Sequence, residues 1–136
     1  MMKPRVVLDA WAVLALLQGE EPAAARVKTL LEEAERGTHA LFISLINLGE
    51  VFYRVGKVKG EPAAWETLAA LRRLSLTIVP ATEEVVLAAA RLKIYHPISY
   101  ADAFAAATAE SLDAVLATGD PELEQLSERI RLEKLR

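Results

Sequence analysis

The sequence predicts an α/β fold, with a mostly parallel sheet of about five strands and helices on both faces. Two patterns carry this. Short, unbroken apolar runs such as Val6-Val7-Leu8 suit strands covered on both sides, as in a parallel sheet. These runs alternate along the chain with longer segments of helical periodicity, often two per crossover. At 136 residues the chain is most simply one domain with one continuous core.

The first strand, around Arg5 to Leu8, stops at the carboxylate of Asp9, and Ala10 to Leu17 reads as a helix apolar nearly all round. Gly19-Glu20-Glu21-Pro22 is a turn, with Pro22 suited to the first position of a helix. That helix carries the stripe Val27, Leu30, Leu31 and Ala34, and Gly37 stops it. Ala40 to Ile43 is the second strand, and Ser44 is the cap of a third helix. Leu45, Leu48, Phe52 and Val55 make that helix's core stripe, with Glu50 off it. Gly56 to Gly60 is read as its end. Glu61-Pro62 opens a fourth helix through about Leu74.

Thr77 to Val79 is the third strand. Thr82-Glu83-Glu84 opens a helix with a cap and two acids that favour its dipole, and Val85, Ala88, Ala89 and Leu92 form its stripe. Pro97 interrupts, and Ser99 begins an alanine-rich helix to about Ser111. Ala114 to Ala117 is a fourth strand, Asp120-Pro121 starts a short helix, and Ile130 to Leu132 is a fifth strand.

Composition narrows the function classes. No apolar run approaches the ~18–20 residues of a membrane span. The chain has no cysteine, so disulfides, thiolate chemistry and Cys-based zinc sites are excluded. The N-terminus shows no signal-peptide pattern, so a soluble cytoplasmic protein is expected. A net charge of −3 argues against a simple nucleic-acid-binding module. It argues less against a metal-dependent enzyme, because two divalent ions would bring the total to +1.

Four carboxylates are candidates for chemistry, and each has a plain alternative. Asp9 ends a buried strand at the carboxyl edge of the sheet, where open α/β folds bind ligands, or it only caps the next helix. Glu50 is a candidate ligand, or it pairs with Arg54 at i, i+4 on a solvated face. Asp102 matches an S-x-x-D cap, but its neighbours at i+3, i+4 and i+7 are Ala105, Ala106 and Ala109. That stripe lets the helix lie close to the sheet and turns the acid inward, with no cation within reach along the helix. Asp120 stands before Pro121 in ordinary helix-start grammar, directly after a strand. The plain readings do not explain why all four fall on one edge. Clustered carboxylates raise one another's pKa values, and hard Mg²⁺ or Mn²⁺ ions among them relieve the repulsion.

The segments Val7-Leu8-Asp9-Ala10, Ile43-Ser44 with Asn47-Leu48-Gly49-Glu50-Val51, Ser99-Tyr100-Ala101-Asp102-Ala103 and Ala117-Thr118-Gly119-Asp120 together resemble the PIN-domain nucleases, specifically the VapC-type toxins of toxin–antitoxin pairs. The resemblance runs over essentially the whole chain. It implies a three-layer α/β/α fold and Mg²⁺- or Mn²⁺-dependent cleavage of RNA. It also implies a homodimer and an antitoxin whose tail occupies the active groove. Asp9, Glu50, Asp102 and Asp120 would carry the metal, and Thr118 keeps the hydroxyl usual two residues before the last acid. One departure is Ala10, where the family often has Ser or Thr; a hydroxyl able to orient the acid or a water is missing there.

Arg54, Lys57 and Lys59 either track an RNA backbone or form a solvated helix end. Trp11 either stacks a base or fills core or dimer contact. Trp65 with Leu68 and Leu71 reads as packing or interface, and His39 and His96 show no ligand spacing. The rival from another class is a non-catalytic PIN-fold module that only binds a protein. Receiver domains and D-x-D phosphatases fit poorly, since Ala10-Trp11 follows Asp9 and Pro80 follows the third strand.

Overall fold

A computed structural model describes residues 3–136; Met1 and Met2, the start of the N-terminal reading, lie outside the described residues. The strands are β1 (Arg5–Leu8), β2 (Ala40–Ser44), β3 (Thr77–Val79), β4 (Val115–Thr118) and β5 (Leu132–Lys134). The helices are α1 (Ala10–Gln18), α2 (Ala23–Glu35), α3 (Leu45–Lys59), α4 (Glu61–Arg72), α5 (Glu83–Tyr95) and α6 (Tyr100–Ser111), with a 3₁₀ helix at Pro121–Leu126. All five strands are parallel, in the order β3-β2-β1-β4-β5.

The unbroken apolar runs feed two cores because successive strand residues face opposite ways. Val6, Leu8, Leu41, Ile43 and Ala117 face the layer made by α1 to α4, meeting Val13, Val27, Leu30, Leu48 and Val51. Val7 and Leu116 face the other layer, meeting Ala89, Leu92, Ala103, Ala107 and Leu123. This is the three-layer α/β/α arrangement. The alanine face of α6 is wholly buried, which brings that helix's backbone close to the sheet. Among the described residues no helix is long and apolar enough to cross a membrane.

The topology fixes where a ligand can bind. From β1 the chain steps outward to β2 and β3, then returns to place β4 on the other side of β1. The strand order therefore reverses between β1 and β4. The helix after β1 and the 3₁₀ helix after β4 leave on opposite faces and open a crevice at that point.

Several local expectations need correction. Leu45 is not core; it is 43% exposed, and the buried face of α3 is Asn47, Leu48 and Val51. As the first residue after the Ser44 cap, Leu45 sits beyond the end of β2 and outside both cores. Gly56 does not end α3, which runs on to Lys59 and stops at Gly60, where φ is +94°. Gly56 instead faces α4, where an added Cβ would stand 3.6 Å from Ala64 Cβ. The fifth strand lies at Leu132–Lys134 rather than Ile130–Leu132, because Ile130 is spent in the second core. Pro22 precedes α2 instead of opening it.

Candidate active site

Each candidate acid is delivered to the crevice by ordinary local structure. Asp9 follows β1 and caps α1, its Oδ1 accepting from the Ala12 N–H at 2.8 Å. Its other oxygen accepts from the Thr118 hydroxyl, and Asp9 is 1% exposed. Leu8 pairs with Ala117 in the sheet, so Asp9 and Thr118 are the next residues of adjacent parallel strands. Thr118 Oγ1 in turn accepts the Asp120 N–H at 2.9 Å, and Asp120 Oδ1 caps the 3₁₀ helix through the Glu122 N–H at 2.9 Å.

Asp102 lies in the first turn of α6. Ser99 caps that helix, its hydroxyl accepting the Asp102 N–H at 3.1 Å. The Asp102 residue is 9% exposed. Glu50 comes from the middle of α3 and receives Arg54 Nε at 3.0 Å. Asn47, three residues earlier, donates to the Ala101 carbonyl at 3.0 Å and ties α3 to the start of α6. Glu50, Asp102 and Asp120 line one cavity of about 260 Å³, with Trp11, Leu14 and Arg54.

The electrostatics join Asp9 to this group. Burial pushes the Asp9 carboxyl up to about 7, against the hydrogen bonds from Thr118 and Ala12, and the charges of Asp120 and Glu50 add to the rise. Burial also pushes Asp102 up to about 9, followed by the adjoining carboxyls of Asp120 and Glu122 and the charge of Asp9. Asp9 thus feels Asp120 and Glu50, and Asp102 feels Asp120 and Asp9. Among the described residues, Asp9, Asp102 and Asp120 form no ion pair with a cationic side chain, and Arg54 is taken by Glu50.

A sequence model of the PIN domain matches residues 6–129. The chain belongs to the PIN-domain family. Among curated proteins, none matches it. Solved structures share the fold over nearly the full length. VapBC2 from Rickettsia felis, bound to a promoter DNA fragment, is 19% identical with a TM-score of 0.75; the match covers 97% of this chain and 99% of that one. DNA-bound VapBC from Salmonella typhimurium is 18% identical over 100% of both chains, with a TM-score of 0.74. VapC20 from Mycobacterium tuberculosis, described as a sarcin–ricin-loop-cleaving toxin, is 17% identical with a TM-score of 0.70, covering 88% of this chain and 93% of that one.

In this PIN domain the plain reading holds for Asp9, Glu50 and Asp120. Asp9 caps α1 from a buried position, Asp120 caps the 3₁₀ helix and lines the cavity, and Glu50 pairs with Arg54 and lines it too. One acid escaped the sequence reading. Glu122 accepts from the Ser99 N–H and sits against Asp102, so it joins the start of α6 to the turn after β4. Its position two residues after Asp120 was the only signal, and an acid in the first turn of a helix is ordinary. Of the basic residues, Arg54 lines the acidic cavity, while Lys57 and Lys59 line the neighbouring one. Trp65 is 55% exposed, packs edge-to-face on Phe52 and donates to Glu61. His39 pairs with Glu33 at 2.6 Å.

The donor set suits a hard divalent cation. It consists of carboxylates, it is buried at its base, and the described residues give Asp9, Asp102 and Asp120 no counter-charge. Among the described residues no group of three or more His, Asp or Glu side chains stands close enough together to hold a metal ion.

Proposed function

We propose that this PIN domain is a Mg²⁺- or Mn²⁺-dependent endoribonuclease and the toxin of a type II toxin–antitoxin pair. One observation carries the reading: Asp9, Asp102 and Asp120 converge where the strand order reverses, without a cationic partner among the described residues. Such a group is costly to bury unless a counter-ion joins it. The likeness of the fold to VapBC complexes, and to a toxin that cleaves RNA, supports the substrate class and an antitoxin partner.

In this reading Asp9, Glu50, Asp102 and Asp120 would hold the cation. When bound, a divalent ion supplies positive charge that activates water and offsets charge on the scissile phosphate. The chain's own residues do the rest. Thr118 and the Ala12 N–H fix both oxygens of Asp9, so that acid does not rotate. Asp102, pushed up to about 9 by burial and by the adjoining carboxyl of Asp120, holds a proton at neutral pH. Arg54 keeps Glu50 aimed at the cavity and presents the remainder of its guanidinium to a phosphate oxygen.

The test is cleavage of single-stranded RNA by the purified chain with Mg²⁺, Mn²⁺ or a chelator. Cleavage that needs the ion and falls at least a hundredfold in Asp102→Asn is expected. Absence of cleavage with either ion, or cleavage indifferent to chelator, overturns the proposal. Sedimentation of the same sample tests the homodimer. Co-expression with a small neighbouring open reading frame tests the antitoxin, which should suppress toxicity.

A further inference from the structure

The acidic cavity adjoins a second recess in which basic residues stand beside acids. Asp120 lines both, and the second, of about 250 Å³, is lined also by Glu124, Lys134 and Arg136. Trp11 stands at the junction. Its ring lies so near Gly119 that a Cβ there would fall 2.3 Å from it, and only glycine admits the contact. The Arg136 guanidinium lies 5.7 Å from the Trp11 ring centroid. Arg136 is exposed and, among the described residues, enters no ion pair. Lys134 reaches only Glu124, at 3.7 Å, and both side chains are well exposed, so that pair yields readily to a stronger partner.

This arrangement answers a difficulty in the proposed function, on which it rests. A phosphodiester approaching four carboxylates is repelled until cations offset them, and Arg54, the one cation among the described residues lining the acidic cavity, has only part of its guanidinium free of Glu50. We infer that Trp11, Arg136 and Lys134 form a binding subsite that takes single-stranded RNA on the β4–β5 side of the scissile phosphate. Lys134 and Arg136 meet backbone phosphates, and the Trp11 ring offers a face to a base. An aromatic face beside a cationic track is how single strands are held without sequence readout. The Arg136 guanidinium is within cation–π reach of Trp11, so it already stands beside the ring.

The experiment measures binding of a short, end-labelled single-stranded RNA to the full chain by fluorescence anisotropy, in chelator so that no cleavage occurs. Arg136→Ala is expected to weaken binding about tenfold. Because one phosphate is then no longer neutralised, the slope of log K against log salt should flatten by about 0.7. Arg136→Lys should fall between, and Lys28→Ala, on the exposed side of α2, should match the parent chain. In a Trp65→Phe background, RNA should quench the remaining Trp11 emission, a signal that a purely structural Trp11 does not give. In cleavage assays KM should rise in Arg136→Ala with kcat nearly unchanged. Unchanged affinity and salt slope in Arg136→Ala overturn the subsite even if the parent chain cuts RNA. An Arg136-dependent affinity in a chain that cuts nothing keeps the subsite and removes the nuclease reading. Arg136-dependent binding of a poly-glutamate peptide with none of RNA overturns the subsite in favour of a protein partner.

Discussion

The Thr118 hydroxyl donates to the carboxylate of Asp9 across 109 residues of sequence, joining the last residue of β4 to the residue that follows β1. Because the same oxygen accepts the Asp120 N–H, this single hydroxyl sets the relative positions of two acids that share no helix or strand.

Thr118→Val keeps the shape but leaves both partners without it. A loss of about 1–3 kcal/mol in unfolding stability is expected, the cost of an unpaired buried polar group. Cleavage should fall more than tenfold, and Thr118→Ser should recover most of both. Denaturant unfolding beside an RNA-cleavage assay checks this; a valine variant equal to the parent in both would remove Thr118 from the site.

The pH dependence follows from Asp9 at about 7 and Asp102 at about 9. An unfolded Asp titrates near 4. The stability these groups contribute is therefore complete below about pH 4 and is lost as pH rises through 7 and then 9. The cation-free protein should weaken across that range. A bound divalent ion favours the ionised carboxylates, so the rise in Tm on adding Mn²⁺ should be larger at pH 8 than at pH 5.5. Asp102→Asn should raise the cation-free Tm at pH 8 and shrink the Mn²⁺ effect. Equal Mn²⁺ shifts at both pH values would contradict the assignment.

Glu50 separates activity from stability. Its partner Arg54 is 55% exposed, and such pairs contribute less than about 1 kcal/mol. Glu50→Gln should thus unfold within that margin of the parent while losing most cleavage. A large loss of stability with activity intact would reverse the reading of this residue.

Gly119→Ala places a methyl group against the Trp11 ring. Since Trp11 is only half-buried, the ring is expected to swing outward, at a cost of about 1–3 kcal/mol. Tryptophan emission should shift to the red as a second sign. A variant with the parent's Tm and spectrum would show that ring and loop do not pack as described.

The layers and the strands were legible before any coordinates, because buried parallel strands need apolar residues on both faces and cannot be written otherwise. Thr77–Val79 and the caps Ser44, Thr82 and Ser99 fall where local grammar puts them. The inward aim of Asp102 could be read from Ala105, Ala106 and Ala109 alone. Leu45 misled because periodicity gives a helix's apolar face but not the limits of what covers it. Glu122 was hidden because its carboxyl gains meaning only from Asp102, on another helix.

The sequence by itself therefore determined the fold class and the succession of elements, and it singled out four acids as candidates, since local periodicity and end signals depend on near neighbours. Only the tertiary structure decided that the return of β4 to the flank of β1 joins Asp9 to Asp120 through Thr118. It also decided that Trp11 meets Gly119 and Arg136 beside it. Contacts between residues a hundred positions apart are set by how the sheet is ordered, and no local pattern encodes that order.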